Sequence, residues 1–189
     1  MYTPGLVIPK RRFLPLLLAA APIMLAWAAP TVDQVKVDRV LVLKKEHKLL
    51  LLSGTRVVRS YRVALGRGGI APKRQRGDGR TPEGLYTIDW RNRASKYHRA
   101  LHISYPQRWD AERAQRLGVN PGGDIEIHGL GDEYDWIGAD HRRTDWTEGC
   151  IAVTNSEIDE IWKLVPDGTP VEVRRSGGHA ATLQRVARH

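Results

Sequence analysis

The feature that most constrains the fold is a series of short apolar runs separated by turn residues. Runs at 38–43, 49–52 and 57–65 alternate with polar or glycine-containing turns, a pattern typical of an antiparallel β-meander. The remaining strands are predicted at 85–89, 101–104, 124–128 and 171–173. We therefore expect a mainly β domain, built as a sandwich-like or barrel-like sheet assembly.

Two helices are predicted beside the sheet. Thr154 and Glu157 have the spacing of a capping box, and the helix that follows has one apolar face formed by Ile158, Ile161, Trp162 and Val165. This is the main helix, and we expect it to pack on the sheet. A shorter helix is predicted at 111–117, capped by Asp110 and stopped by Gly118.

The first 29 residues have the features of a secretory signal peptide. A basic patch at 10–12 precedes an apolar run at 13–27, which ends in the small-x-small sequence Ala26-Trp27-Ala28. An uncleaved membrane anchor is the alternative, although the run is short for a bilayer span of about 20 residues. We expect export to the periplasm or cell envelope, with no stable membrane span after cleavage, a catalytic domain at 35–174 and a flexible tail at 175–189.

Charge and cysteine content narrow the function classes. The chain holds 30 Lys and Arg against 21 Asp and Glu, a net charge of +9, which favours anionic polymers. Outside the cytoplasm these are cell-wall polymers and not nucleic acid. The one cysteine, Cys150, excludes an internal disulfide framework and a multi-thiolate zinc site. An unpaired thiol in an exported protein indicates a reactive group, with a buried inert cysteine as the alternative.

The segment 66–80 combines five glycines with five basic residues. This composition predicts a mobile basic loop, which either lines the mouth of a site for an acidic substrate or is a solvated connection. No Gly-Lys-Ser/Thr sequence closes the glycines, so the segment has no phosphate-binding motif.

The residues around Cys150 are suited to nucleophilic catalysis. Cys150 follows Gly149 and precedes the main helix, whose N-terminus should favour the thiolate. The N–H groups of Gly149 and Cys150 are candidates for an oxyanion hole. His128, at the end of a predicted strand, is the candidate base, and the carbonyl of Gly129 can orient it. On these residues alone, acyl transfer by a Cys/His pair is one of several possibilities.

Three motifs then point to a known family. They are T-P-E-G-L-Y at 81–86, I-H-G at 127–129 and T-E-G-C-I at 147–151. With them, the chain from about Val37 to Val173 resembles the YkuD-type L,D-transpeptidases, cysteine enzymes of the cell wall. The resemblance implies a β-sandwich fold, Cys150 as nucleophile, His128 as base, Gly129 as the carbonyl partner of that base, and an oxyanion hole at Gly149 and Cys150. Thr147 matches the family's hydroxyl residue, which we expect to contact the substrate.

The resemblance also implies a reaction. The thiolate attacks the diaminopimelate carbonyl of a peptidoglycan tetrapeptide stem, D-alanine leaves, and an amine resolves the thioester to give a crosslink. Water as acceptor gives a carboxypeptidase or an amidase instead. No cofactor or metal is required, and the expected partners of the monomer are peptidoglycan stem peptides.

The chain departs from the family pattern in three places. Glu148 replaces a second histidine, 18 residues separate His128 from Thr147, and Ala152 stands where many members have Arg or Asn. A carboxylate beside Cys150 should oppose thiolate formation. These differences leave the acceptor open.

Other interpretations remain. His141 and Trp146, together with Arg142 and Arg143, either contact substrate or form a solvated loop packed on Trp146. His102, His128 and His141 would be the ligands of a zinc peptidase, although no H-E-x-x-H motif is present. A non-catalytic wall-binding module with a buried Cys150 is the third possibility.

Overall fold

The computed structural model describes residues 36–177. The predicted signal peptide lies outside the described residues, as does the predicted tail from 178 onward. Between residues 36 and 177, no helix has the length and apolar character needed to cross a bilayer.

The fold is mainly β, as predicted. The strands are β1 (Arg39–Leu43), β2 (Lys48–Ser53), β3 (Arg56–Arg62), β4 (Gly84–Ser95), β5 (His98–Ile103), β6 (Glu126–His128), β7 (Ile151–Ala152) and β8 (Pro170–Arg174). The α-helices are α1 (Arg108–Arg116) and α2 (Asn155–Leu164). A 3-10 segment, Asp132–Arg143, consists of two stretches joined by a kink at Gly138.

All eight strands follow one order, β3-β2-β1-β8-β4-β5-β6-β7. The predicted antiparallel meander is confirmed for β1, β2 and β3. The rest is mixed, because β8 returns to pair parallel with β1 and β7 pairs parallel with β6. The chain after β3 also bridges to β7 through Ala64 and Ala152. The two ends of the strand order therefore meet, which gives the assembly its barrel-like character.

The core lies between the sheet and α2. Alternate strand residues face inward, for example Leu49 and Leu51 in β2, both fully buried. Ile158 and Ile161 of α2 pack into the same cluster, and each such side chain contributes roughly 1.5–3 kcal/mol through burial. The capping box is present, since Thr154 accepts from the N–H of Glu157 at 3.3 Å. The main helix is thus confirmed.

Two details differ from the sequence prediction. The short helix begins at Arg108, with Gln107 as its N-cap. Asp110 is not the cap but lies buried in the first turn, where it pairs with Arg113 and accepts from the N–H of Gln107. The 3-10 segment was not predicted as a helix, because its residues have no regular apolar repeat.

Candidate active site

The pairing of β6 with β7 brings the two motif halves together. Ile127 pairs with Ile151 and His128 with Ala152. Cys150 directly precedes β7, so this pairing brings it beside Glu126, two positions before His128 on β6. Among the hydrogen bonds within residues 36–177, none joins the two side chains directly. The thiol of Cys150 instead donates to the carbonyl of Asp124 at 3.5 Å.

A tight turn at 147–150 presents the cysteine. Thr147 is 4% exposed, and its hydroxyl donates to the carbonyl of Cys150 at 2.8 Å and accepts from the N–H of Gly149 at 3.1 Å. The hydroxyl of Thr147 therefore holds the turn together, and the N–H of Gly149 is already engaged with it. The substrate contact at Thr147 and the oxyanion role of Gly149 stay predictions. Within the described chain, the N–H of Cys150 donates to no residue and remains available for an oxyanion.

Only glycine fits at position 149. Its φ is +131°, and a Cβ there would lie 2.6 Å from the carbonyl oxygen of Arg80. Gly66 is equally confined, since its Cβ would lie 3.0 Å from Cα of Gly149. Two ends of the glycine-rich segment therefore press directly against the turn that carries the cysteine.

The segment 66–80, predicted to be a mobile basic loop, is held in place by hydrogen bonds and ion pairs. Asp78 accepts from the N–H groups of Arg74, Gln75 and Arg80. The same carboxylate pairs at 2.9 Å with Lys73, which is 3% exposed. Lys44, also buried, donates to the carbonyls of Ala71 and Thr81. Through Lys44, which directly follows β1, the segment is thus attached to β1 and to Thr81, three residues before β4.

The imidazole of His128 lies in an aromatic environment. It is 1% exposed, and its Nδ1 lies 2.7 Å from the carbonyl of Gly129. That contact, expected from the sequence, requires the proton on Nδ1 and leaves Nε2 as the basic nitrogen. Tyr97 stacks on one face of the ring, with centroids 4.3 Å apart, and Trp146 meets it edge-on at 5.8 Å.

Burial sets the protonation state of both groups. It raises the pKa of Cys150 to about 11 and lowers the pKa of His128 to about 4. The expected depression of the thiol pKa by the helix N-terminus is therefore wrong. Helix α2 begins at Asn155, with β7 lying between it and Cys150. At neutral pH the resting site holds a thiol and a neutral imidazole.

The carboxylates that act on Cys150 are not the one expected. After burial, the pKa of Cys150 is raised further by Glu126 and Asp124, and lowered by a backbone hydrogen bond at Glu126 and by Lys73. Glu148 is 63% exposed, pairs with Arg67 at 2.5 Å, and lines a cavity together with Lys73 and Asp124. The glutamate that replaces the second motif histidine therefore lies at the protein surface, in an ion pair with Arg67.

A second cavity, of about 460 Å³, lies against Tyr97 and Trp146, the two aromatic residues that contact His128, although His128 itself does not line it. Its lining includes Tyr97, His141 and Trp146, so the two residues named as substrate contacts lie together in it. Trp146 Nε1 donates to Nδ1 of His141 at 3.4 Å, and burial lowers the pKa of His141 to about 4. The neighbouring arginines are engaged elsewhere, Arg142 with Glu157 and Arg143 with Asp140.

The proposed zinc ligands are not assembled. Nδ1 of His102 lies 2.6 Å from Asp89, whereas His128 faces Gly129 and Tyr97. Across residues 36–177, no group of three or more His, Cys, Asp or Glu side chains is arranged to hold a metal ion. The donor geometry therefore does not fit the zinc-peptidase interpretation.

The similarity to known proteins agrees with this geometry. A family model described as the L,D-transpeptidase catalytic domain, YkuD, matches residues 37–173. The chain belongs to the YkuD family. Among curated proteins, YafK of Escherichia coli K12, whose name assigns it only provisionally to the L,D-transpeptidases, is 32% identical over 109 residues. The match covers 56% of this chain and 36% of YafK, so the YkuD domain here spans about a third of that relative.

Solved structures share the fold. The helical-cell-shape-determining protein Pgp2 of Campylobacter jejuni superposes with a TM-score of 0.57 at 24% identity, covering 80% of this chain and 52% of Pgp2. Bd1075 of Bdellovibrio bacteriovorus gives 0.54 at 23% identity, covering 82% and 55%. At these identities the likeness concerns the YkuD fold alone, and the chain spans only about half of each structure.

Three residues near the site were missed by sequence reasoning. Tyr97 lies in the β4–β5 turn, Lys73 in the basic segment, and Glu126 two positions before His128. The alternation in β6 does place Glu126 on the face of His128, so that signal was available. Tyr97 and Lys73 reach the site through contacts distant in sequence, which no local pattern reveals.

Proposed function

We propose that this YkuD domain is a cysteine-dependent L,D-transpeptidase acting on peptidoglycan tetrapeptide stems. The observation that supports this most directly is the arrangement at β6 and β7. The pairing brings Cys150, the residue before β7, to within two strand positions of His128, and Nδ1 of His128 is held on the Gly129 carbonyl, so that Nε2 is the free base. A buried histidine in that tautomer can accept a thiol proton, which a resting thiol at Cys150 must lose before it attacks.

The acylation step follows from these groups. Nε2 of His128 takes the proton of the Cys150 thiol as sulfur bonds to the diaminopimelate carbonyl carbon. The resulting oxyanion is stabilised by the N–H of Cys150. The carbon–nitrogen bond then breaks, His128 returns the proton to the leaving D-alanine amine, and a thioester remains on Cys150.

An amine of a second stem resolves the thioester and regenerates the thiol. One amide is exchanged for another, so the reaction needs no nucleotide. The catalytic step is proposed to take place in the periplasm or cell envelope, by a monomer, after removal of residues 1–29. His141 and Trp146 line the cavity in which a stem peptide is proposed to lie.

The test is incubation of the protein with purified tetrapeptide muropeptides, followed by mass spectrometry of the products. Crosslinked dimers are expected, and Cys150→Ala should give none. Tripeptides without dimers would show that water resolves the thioester, making the enzyme an L,D-carboxypeptidase. Unchanged tetrapeptides with the intact protein would contradict the proposal.

A further inference from the structure

The ring of Tyr97, which stacks on His128, also lies next to a charged side chain. Tyr97 lies 4.3 Å from His128 between centroids, with 22° between the ring planes. The ammonium of Lys96 lies over the ring of Tyr97, 4.9 Å from its centroid. The π-face of tyrosine attracts cations, so this ring contacts both a permanent cation and an imidazole that must become one.

The turn that carries Tyr97 is held from several sides. His98, at φ +70°, contacts Asp132 at 2.8 Å through Nδ1 and Asp159 at 3.0 Å through Nε2. The carbonyl of Tyr97 lies where a Cβ on Gly129 would come within 2.9 Å. The backbone of Tyr97 therefore packs against the same residue that orients His128.

The protonated state of His128 has few other supports. The Gly129 carbonyl accepts from Nδ1, and within the described chain no carboxylate hydrogen-bonds the imidazole. The titratable groups that contact it or act on it are Tyr97 and Lys96 from the β4–β5 turn and His141 from the 3-10 segment, while Glu126 and Cys150 lie two positions away along the paired strands. Lys96 opposes a positive charge there, as His141 does when its own ring is protonated.

We propose that Tyr97 is a positioning residue whose ring face stabilises the imidazolium formed on His128 during acylation, while Lys96 on that ring opposes this charge in the resting site. This proposal rests on the proposed function only in one respect, namely that His128 becomes protonated when Cys150 is acylated. The stacking and its effect on His128 are properties of the free protein. Tyr97 thus has the role of the carboxylate in a catalytic triad, but its ring is uncharged and interacts more weakly with the imidazolium.

The test is the pKa of His128 in the full chain, measured by NMR titration of its ring signals without substrate. Tyr97→Leu should lower this pKa by about 0.5 to 1, the size of a cation–π contact, and Tyr97→Phe, which keeps the ring, should restore it. Lys96→Met should raise it. Lys163→Met, which removes a cation from the exposed end of α2, is the matched control and should leave it unchanged.

A packing role alone predicts the opposite sign. If Tyr97 only excludes water, Tyr97→Leu hydrates the imidazole and raises the pKa of His128. An unchanged or raised pKa in Tyr97→Leu, or no effect of Lys96→Met, would overturn the proposal. With tetrapeptide stems, Tyr97→Leu should also slow acylation about 3- to 30-fold. Because the titration needs no turnover, an inactive protein would contradict the proposed function and leave this test intact.

Discussion

The cysteine side and the histidine side of the candidate site are held by different kinds of contact. On the cysteine side, a turn and a glycine-rich segment are held by polar contacts, through Thr147, Asp78 and the buried Lys73. On the histidine side, aromatic rings surround an imidazole whose only described hydrogen bond is to a backbone carbonyl. The cysteine side permits close backbone approach, and the histidine side excludes water.

His128 is buried and Cys150 is half-buried, and the loss of hydration acts on the two groups in opposite directions. It disfavours the charged form, so the pKa of the Cys150 thiol rises to about 11 while the pKa of His128 falls to about 4. The resting pair is neutral, in contrast to a preformed thiolate–imidazolium pair. In the proposed reaction, proton transfer therefore accompanies the attack of Cys150 on substrate, and each side of the site can be tested separately.

The largest effect is expected on the histidine side. His128→Ala removes the proton acceptor for a thiol that is almost wholly protonated at neutral pH. Acylation by tetrapeptide stems should slow by about 10²- to 10⁴-fold, the usual range for a general base. This rate is measured by mass spectrometry of protein samples quenched at successive times after mixing. Acylation at the normal rate would show that His128 is not the base.

On the cysteine side, Gly149→Ala should cost stability as well as activity. The new Cβ would meet the Arg80 carbonyl at 2.6 Å in a backbone conformation that favours glycine. We expect a loss of about 2–5 kcal/mol in the free energy of unfolding, from strain and overpacking together. Urea denaturation provides the measurement.

Gly168→Ala is the control for that variant. Gly168 also has a positive φ, +78°, but nothing lies within 4 Å of its Cβ position. It should lose only the conformational part, about 1–2 kcal/mol. Equal losses in the two variants would mean that the contact with Arg80 does not confine Gly149.

The predictable part of the molecule is the part with local signals. Capping residues and an apolar face identified α2, and the short apolar runs identified the strands of the meander. The parallel pairing of β8 with β1 joins residues 131 positions apart in the chain, such as Val40 and Val171, and has no local signature. The same holds for the stacking of Tyr97 on His128.

The site follows the same rule. Cys150, His128 and Gly129 belong to short motifs and could be named from the sequence, whereas the protonation state could not. The thiol was expected to be acidic because a helix follows, yet burial dominates once the strands enclose it. A motif identifies residues, and only the surrounding packing determines their charge.

A smaller effect is expected on the alkylation rate of Cys150 when a neighbouring carboxylate is removed. Since the pKa of Cys150 is raised to about 11, its alkylation by iodoacetamide should accelerate continuously from pH 7 to above pH 10. Glu126→Gln removes a carboxylate that raises this pKa. Alkylation at pH 8 should then become about 3- to 10-fold faster, equivalent to about 0.5 to 1 in pKa. A slower reaction would show that Glu126 does not oppose the thiolate.

The smallest effect is expected at Glu148. Its carboxylate is exposed and paired with Arg67, and exposed pairs contribute little. Glu148→His, which restores the family's residue, should change the acylation rate by less than about 2-fold. The same stem-peptide assay measures it, and a change of 10-fold or more would mean that this side chain acts on Cys150 after all.

The most direct measurement is the intact mass of the protein after brief exposure to tetrapeptide stems. If Cys150 is the nucleophile, we expect a covalent adduct equal to the stem without its terminal D-alanine, located on the peptide that contains Cys150, and absent from Cys150→Ala. An adduct that persists in Cys150→Ala, or product formation by that variant at the normal rate, would contradict a thioester on Cys150.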